Sequence, residues 1–270
     1  MRIHGNEYAS NDLVALAADL EVITSCGVEI RPLHALVTQW LESPSKLEGK
    51  ALAALTCDDG ADFDAVPLTH PTWGQQRSVL GILSDFRAQQ GNRQPDLHVT
   101  SFVIASPEAR VELDRTCMVG RGWWNESWWR DAVDSGLMSI GNHSWDHNHE
   151  TLARPCRGLV RPGTFTTVDT LAAAEYEIRF ADEYLRSRIP NPGNRLFAYP
   201  FGETNDFLSG QYLPEYSRDP GSAGFDAAFI TDPAYLTRSS DRWRLPRFVC
   251  GRDWHSPDEL RSILRRAQSA

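Results

Sequence analysis

Short apolar runs alternate with helix-patterned segments along almost the whole chain, and this alternation constrains its fold most strongly. It predicts βα units built around a largely parallel sheet, which is an α/β fold. The predicted strands are residues 51–57, 98–105, 137–140, 195–199, 227–231 and 248–250. The predicted helices are residues 10–20, 32–41, 73–90, 126–133 and 168–189, with two more beginning at Pro107 and Ser256.

The longest predicted helix, residues 168–189, ends before Pro190, which cannot continue it. Its apolar residues recur at helical spacing and therefore predict a single buried stripe. The members of this stripe are Leu171, Ala174, Ile178, Ala181 and Leu185. Residues 61–71 are polar and contain two prolines, so we predict a loop there.

The size of the chain favours one domain. Its 270 residues, 41% of them apolar, suit a single α/β barrel with a large core. No linker-like stretch interrupts it, so we predict one domain of residues 1–270, with residues 1–50 as its helical lead-in. A formal net charge of −9 argues against a nucleic-acid partner, because no basic excess is available to displace phosphate counterions.

The chain also lacks the signals of membrane insertion and export. No apolar run approaches the roughly 18 residues of a membrane span, and the N-terminus shows no basic start followed by an apolar stretch. We therefore expect a cytoplasmic protein without a membrane partner; the sequence sets no oligomeric state. Five cysteines with no C-x-x-C pair predict reduced thiols, and Cys57 stands where a strand needs a small apolar residue.

Polar residues follow two of the predicted strands. Asp58 and Asp59 come directly after an apolar run, and carboxylates beside a core need a neutralising cation. His143 and His147 follow a later run, and their spacing places both rings on one face if the segment forms a helical turn. Chemistry in βα barrels lies at the carboxyl ends of the strands, so we expect these four side chains to meet.

Two histidines and one or two aspartates suit a divalent metal with open coordination positions. If Asp59 joins His143 and His147 as a ligand, Asp58 remains beside the metal as a candidate base for activating water. Adjacent strand residues point in different directions, which suits two roles for two neighbouring acids. The alternative, a plain Asp-Asp-Gly turn and two surface histidines, is weakened because both motifs follow strands.

Three segments resemble the motifs of the polysaccharide deacetylase (NodB-homology, carbohydrate esterase 4) family. Thr56-Cys-Asp-Asp-Gly60 is similar to the first motif, T-F-D-D-G, and His143-Ser-Trp-Asp-His147 matches the second, H-S/T-x-x-H. Phe197-Ala-Tyr-Pro-Phe-Gly202 is similar to the third, F-R-P-P-Y-G. The resemblance covers residues 10–265.

This resemblance implies a distorted (β/α) barrel with fewer than eight strands, whose catalytic domain removes N- or O-acetyl groups from an amino sugar or glycan. It implies one divalent metal ion on Asp59, His143 and His147, with Zn²⁺ expected and Co²⁺, Mn²⁺ and Ni²⁺ as alternatives. It further implies that Asp58 is the general base and that the main-chain N–H of Phe201 helps to hold the oxyanion.

The sequence departs from the family pattern in two places. Ala198 replaces the third-motif arginine that contacts the base, and we expect Arg247 to orient Asp58 instead; an ordinary surface arginine is the alternative. No L-x-H triplet follows the last strand, where the family carries its general acid. His255 is the nearest candidate acid, and His70 and His149 are further candidates.

Two other functions remain open. A cytoplasmic amidohydrolase acting on a small cyclic amide or ureide would use the same residues. A catalytically silent carbohydrate-binding relative would explain Ala198 and the missing late histidine, but not the intact acids and histidines. The tryptophans fit sugar stacking less well than packing, since they stand at helical spacing. They are Trp123, Trp124, Trp128 and Trp129, with Trp145 between the two histidines.

Overall fold

The computed structural model describes residues 1–118, 120–219 and 222–269. Its centre is a five-stranded parallel sheet in which consecutive strands are neighbours, and the sheet curls into a half-barrel. The fold is therefore α/β with fewer than eight barrel strands, as predicted. The strands are β1 (Leu55–Asp59), β2 (Val99–Val103), β3 (Met138–Asn142), β4 (Leu196–Ala198) and β5 (Ala227–Phe229).

Helices connect the strands and cover the sheet. Side chains cap the N-termini of several helices. Asn11 accepts the N–H groups of Leu13 and Val14 at the first helix, and Ser78 and Ser106 cap the third and fourth helices. The helices are α1 (Asp12–Ser25), α2 (Leu33–Glu42), α3 (Val79–Gln90), α4 (Pro107–Cys117), α5 (Trp129–Asp134), α6 (Leu171–Ala174), α7 (Phe180–Arg188), α8 (Leu213–Tyr216) and α9 (Pro257–Ser269).

The strand register brings the predicted site residues to one edge of the sheet. Asp59 of β1 pairs with Val103 of β2, and Val103 pairs with Asn142 of β3. Asn142 in turn pairs with Phe197 of β4. The carboxyl ends of these strands are thus level, so that the chain following Asn142 emerges beside the two acids.

The two faces of the sheet are covered differently. One face, with Val99, Val103 and Ile140, packs in the largest apolar cluster with residues of α1, α3, α5, α7 and α9. The other face, with Phe102 and Phe229, packs against α2. The lead-in helix α1 therefore belongs to the main core. Among the described residues, no helix is both long enough and apolar enough to cross a bilayer.

Three sequence-based predictions of elements are wrong. The helix predicted from residue 73 begins only at Val79, and part of the predicted loop pairs into an antiparallel hairpin of Leu68–His70 with Gly74–Gln76. Gly74, at φ +71°, makes that reversal, and the sequence pattern concealed it within a polar segment. The predicted strand 248–250 is not a strand; β5 gains a single parallel bridge, to Leu245.

The long predicted helix exists but is irregular. It begins at Leu171 and contains a π-helical turn, Glu175–Arg179, between α6 and α7. Ala174, Ile178, Ala181 and Leu185 are buried as predicted. Leu171 is 63% exposed, so its assignment to the buried stripe is wrong: it is the first residue of α6, whose buried side chains are those of Ala173 and Ala174.

A buried histidine pair predicts acid sensitivity of the fold. The rings of His34 (α2) and His98 lie 5.8 Å apart, and the Nδ1 atom of each is buried without a described partner. Burial lowers the pKa of His34; burial and then His34 lower the pKa of His98 to about 4. The unfolded chain, with an ordinary histidine pKa of about 6.5, binds these protons more readily, so stability is lost as pH falls below that value.

We expect the free energy of unfolding to fall by up to about 3 kcal/mol between pH 6.5 and pH 4 through His98 alone. Chemical denaturation of wild type and His98→Phe across this range measures the difference. The variant should show the shallower pH dependence, and identical slopes would contradict the expectation.

Candidate active site

The two acids are the last residues of β1, and the chain turns sharply after them. Asp59 and Gly60 both have positive φ, at +76° and +74°. A Cβ on Gly60 would approach Val103 within 2.5 Å, so only glycine fits there. The main-chain oxygen of Asp59 accepts hydrogen bonds from the Ile104 N–H and the Trp124 indole. These contacts hold the residue in its strained backbone conformation.

The histidine loop, residues 143–148, is not the helical turn that the spacing predicted. Ser144 and His147 have φ of +69° and +65°, which no right-handed helix contains. The side chains of Asn142 and Ser144 accept the N–H groups of Ser144 and His147, in place of main-chain carbonyls. The loop nevertheless brings the rings of His143 and His147 to 4.9 Å between centroids.

Asp59, His143 and His147 converge on one point. Their three ligand atoms all lie within 4.8 Å of one another. The Nε2 atoms of His143 and His147 are 3.5 and 3.6 Å from the same Asp59 oxygen. The Nδ1 atom of His143 lies 2.8 Å from the carbonyl oxygen of Ala198, which only accepts, so Nδ1 carries a proton and Nε2 is the nitrogen that faces Asp59. The Asp59 side chain is 37% exposed, which leaves one side open.

The electrostatics of this group also suit a cation. Burial alone would raise the pKa of Asp59, but the hydrogen bond from His143 and both imidazoles hold it below its ordinary value. Burial and the neighbouring His143 lower the pKa of His147 to about 3, so this ring is neutral. Against the effect of burial, Asp58 and Asp59 raise the pKa of His143. The donor set of one carboxylate and two imidazoles fits a divalent ion such as Zn²⁺.

Asp58 is paired with Arg247, beyond the last strand. Two parallel hydrogen bonds of 2.7 and 2.8 Å join the guanidinium to the two carboxylate oxygens. Thr56 and the carbonyl of Ile230 accept further bonds from the same guanidinium. Burial alone would raise the pKa of Asp58, but Arg247 and His143 outweigh it and lower the pKa. Arg247 thus contacts both carboxylate oxygens of Asp58; its role in catalysis stays a prediction.

A tight turn, Pro200–Gly202, follows β4 beside the histidines. Phe201 has φ +59°, and its ring packs edge-on against His147 at 4.4 Å between centroids. A Cβ on Gly202 would clash with Thr231, so this turn too depends on glycine. The turn therefore lies against the His147 imidazole through the ring of Phe201. Its use as an oxyanion donor stays a prediction.

Comparison with known proteins agrees with this arrangement. The family model described as polysaccharide deacetylase matches residues 93–212, a span that contains the histidine loop and the Pro200–Gly202 turn. The matched part of the chain thus resembles the polysaccharide deacetylase family. No curated protein matches the chain significantly.

Two solved structures are similar to this chain. The structure of Streptococcus pyogenes deacetylase PplD in complex with acetate superposes with a TM-score of 0.58 at 16% identity, over 94% of this chain and 86% of that one. The deacetylase domain of BpsB from Bordetella bronchiseptica has a TM-score of 0.44 at 16% identity, over 82% and 84% of the two chains. The first likeness shows that the fold is shared.

The three candidate general acids lie in different surroundings. His255 is exposed between Trp254 and α9, and its described partner is Glu259, which accepts its main-chain N–H and lies 3.6 Å from its ring. His70 accepts two main-chain N–H groups within the hairpin turn. His149 lies nearer the centre, with its ring 5.7 Å from that of His147. The acid role of His255 stays a prediction.

The tryptophans act mainly in packing, as the sequence favoured. Trp128 and Trp129 are buried in the main core, and Trp145 packs edge-on against Tyr176, Phe180 and Tyr184. The sequence did not reveal the carboxylates that hold these segments. Asp62 accepts hydrogen bonds from Asn125 and the Trp128 indole, and Asp114 accepts the N–H groups of Gly122 and Trp123. In the sequence, the available signal for these structural carboxylates was the occurrence of acidic residues near turn residues and tryptophans.

Proposed function

We propose that the chain is a metal-dependent hydrolase that removes N- or O-acetyl groups from an amino sugar or glycan. One observation carries this proposal: the ligand atoms of Asp59, His143 and His147 converge within 4.8 Å, beside a second carboxylate held by an arginine. The match of residues 93–212 to the polysaccharide deacetylase model supports the deacetylation chemistry and the carbohydrate class of substrate. We take residues 1–270 as one catalytic domain, since α1 packs into the main core.

The proposed metal is one divalent ion, Zn²⁺ or else Co²⁺, Mn²⁺ or Ni²⁺, which the two imidazoles and one carboxylate accommodate. When bound, such an ion polarises an acyl carbonyl and makes water more acidic. His143 would bind through Nε2, because its Nδ1–H is engaged by the carbonyl of Ala198. His147, held neutral by burial, would bind without first losing a proton.

Asp58 is the proposed general base. Arg247 lowers its pKa, so that the carboxylate is ionised at neutral pH and can take a proton from the attacking water. The bidentate contact also fixes the plane of the carboxylate. For an amide substrate, the water oxygen bonds to the acyl carbon, the carbon–nitrogen bond breaks, and a proton passes to the leaving amine, for which His255 is the proposed donor.

The turn after β4 supplies the proposed oxyanion donor. The main-chain N–H of Phe201 lies in a rigid turn whose ring contacts His147. A preorganised donor of this kind stabilises a developing oxyanion by about 3 kcal/mol. Because a main-chain group does this, the phenylalanine side chain in place of tyrosine leaves the function intact.

Acetate release tests the proposal. We expect the Zn²⁺-loaded chain to release acetate and leave free amines on N-acetylglucosamine oligomers, and a chelator to stop the reaction. Acetate is measured enzymatically and amines by a fluorogenic label. Ring opening of a cyclic amide or ureide without acetate would replace the proposal with the amidohydrolase function. Sugar binding without hydrolysis of any acyl substrate would identify a silent relative.

A further inference from the structure

The π-helical turn Glu175–Arg179 packs directly behind the histidine loop. The sequence predicts a regular helix here, but π turns insert one residue and are frequent at functional sites. The insertion points Glu177 inward, where it is completely buried. Its Oε1 atom has no described hydrogen-bond partner, and no described cation pairs with it. Burying a carboxyl with an unpartnered oxygen destabilises the fold. A functional role would explain why the chain keeps such a residue.

Glu177 holds two successive residues of the histidine loop. Its main-chain oxygen accepts the N–H of Trp145 at 2.7 Å, and its carboxyl Oε2 accepts the N–H of Asp146 at 3.3 Å. The next carbonyl of the π turn, that of Ile178, accepts the side-chain amide of Asn142 at 3.3 Å. The π turn thus contacts the loop on both sides of His143.

Within residues 144–148, the other N–H groups are accepted by side chains of this segment or of Asn142. Asn142 accepts from Ser144, Ser144 accepts from His147, and Asp146 accepts from Asn148. Five consecutive N–H groups, residues 144–148, are therefore all bonded, and Glu177 supplies the two acceptors that belong to another element. This full set of bonds allows a loop with three positive φ angles to keep one conformation.

We propose that Glu177 is a positioning residue for metal binding: its carboxyl holds the Asp146 N–H and so sets where the His147 imidazole stands relative to His143 and Asp59. This inference rests on the proposed function, because it requires those three residues to be the ligands. Burial and the adjacent Asp146 raise the pKa of Glu177 well above its ordinary value. A glutamine, which is neutral and keeps the acceptor oxygen, is therefore the conservative replacement.

The test is a Co²⁺ titration of the metal-free full chain, followed by visible absorption, which reports ligand geometry. Glu177→Gln should bind Co²⁺ within about threefold of wild type. Glu177→Met, similar in length but without the acceptor, should bind about 10- to 100-fold more weakly, with an altered spectrum. The matched control is Asp182→Asn, a buried carboxyl of the same helix that bonds to Arg186 and Tyr216 instead. It should leave Co²⁺ affinity unchanged even where it lowers stability.

Wild-type affinity and spectrum in Glu177→Met would overturn the inference, as would an equal loss in Asp182→Asn. If Glu177→Met does not fold by circular dichroism, Glu177→Asp, which withdraws the acceptor by one methylene, takes its place with the same expectation. Absence of Co²⁺ binding by wild type would instead refute the proposed function. The two failures are therefore distinguishable.

Discussion

Asp58→Asn is expected to lower kcat for acetate release by about 10²- to 10⁴-fold, because an amide cannot take the proton from the attacking water. Asparagine has the same shape and still offers one oxygen to Arg247, so the fold should persist. Asp58 contributes no atom to the converging ligand group, and metal content should therefore stay at the wild-type level. Steady-state kinetics and elemental analysis on the same preparation measure both quantities.

Two results would contradict the assignment of Asp58 as base. One is a kcat within tenfold of wild type in the metal-loaded variant. The other is loss of the metal, which would make Asp58 a ligand. Asp85→Asn, an exposed carboxylate of α3 paired with Arg77, is the control and should change neither quantity.

Arg247→Ala has the second-largest expected effect, a fall of about 100-fold in kcat at neutral pH. Without the guanidinium, the Asp58 carboxylate loses its bidentate partner and its pKa rises. The base must be ionised to act, so the acidic limb of the kcat–pH profile should move to higher pH. Arg247→Lys keeps the charge and should restore the limb toward its wild-type position, while kcat recovers only in part because lysine cannot form both parallel bonds.

The pH profile separates this role from simple loss of structure, which would scale activity equally at every pH. Arg238→Ala removes an exposed arginine that pairs with Glu48 and is the control. An unchanged turnover in Arg247→Ala would remove Arg247 from the site, and so would an equal loss in Arg238→Ala.

The placement of the site was predictable because it follows from topology. Consecutive parallel strands are neighbours in this sheet, so residues at the ends of β1 and β3 had to lie within two strands of each other. The acids, the histidines and the Pro200–Gly202 turn all follow strands for this reason. The pairing of Arg247 with Asp58 was predicted too, because Ala198 stands where the family pattern has an arginine and another cation was therefore expected beside Asp58.

The parts that escaped prediction depend on side-chain to main-chain bonds that no periodicity records. The histidine loop turns because the side chains of Asn142 and Ser144 accept main-chain N–H groups, whereas the spacing of four residues had suggested a helix. The π turn interrupts the helical pattern at Glu175–Arg179, so the burial of Glu177 was overlooked. Both errors occur where local geometry serves the site rather than the regular element.

Metal content, measured by elemental analysis on wild type, His143→Ala and His149→Ala, tests the central claim most directly because it needs no substrate. His149 is the matched control, since it lies beside His147 but outside the converging ligand group. We predict about one divalent ion per chain in wild type and His149→Ala, and none in His143→Ala. Absence of metal from wild type even after addition of Zn²⁺ or Co²⁺, or equal content in all three, would contradict the account.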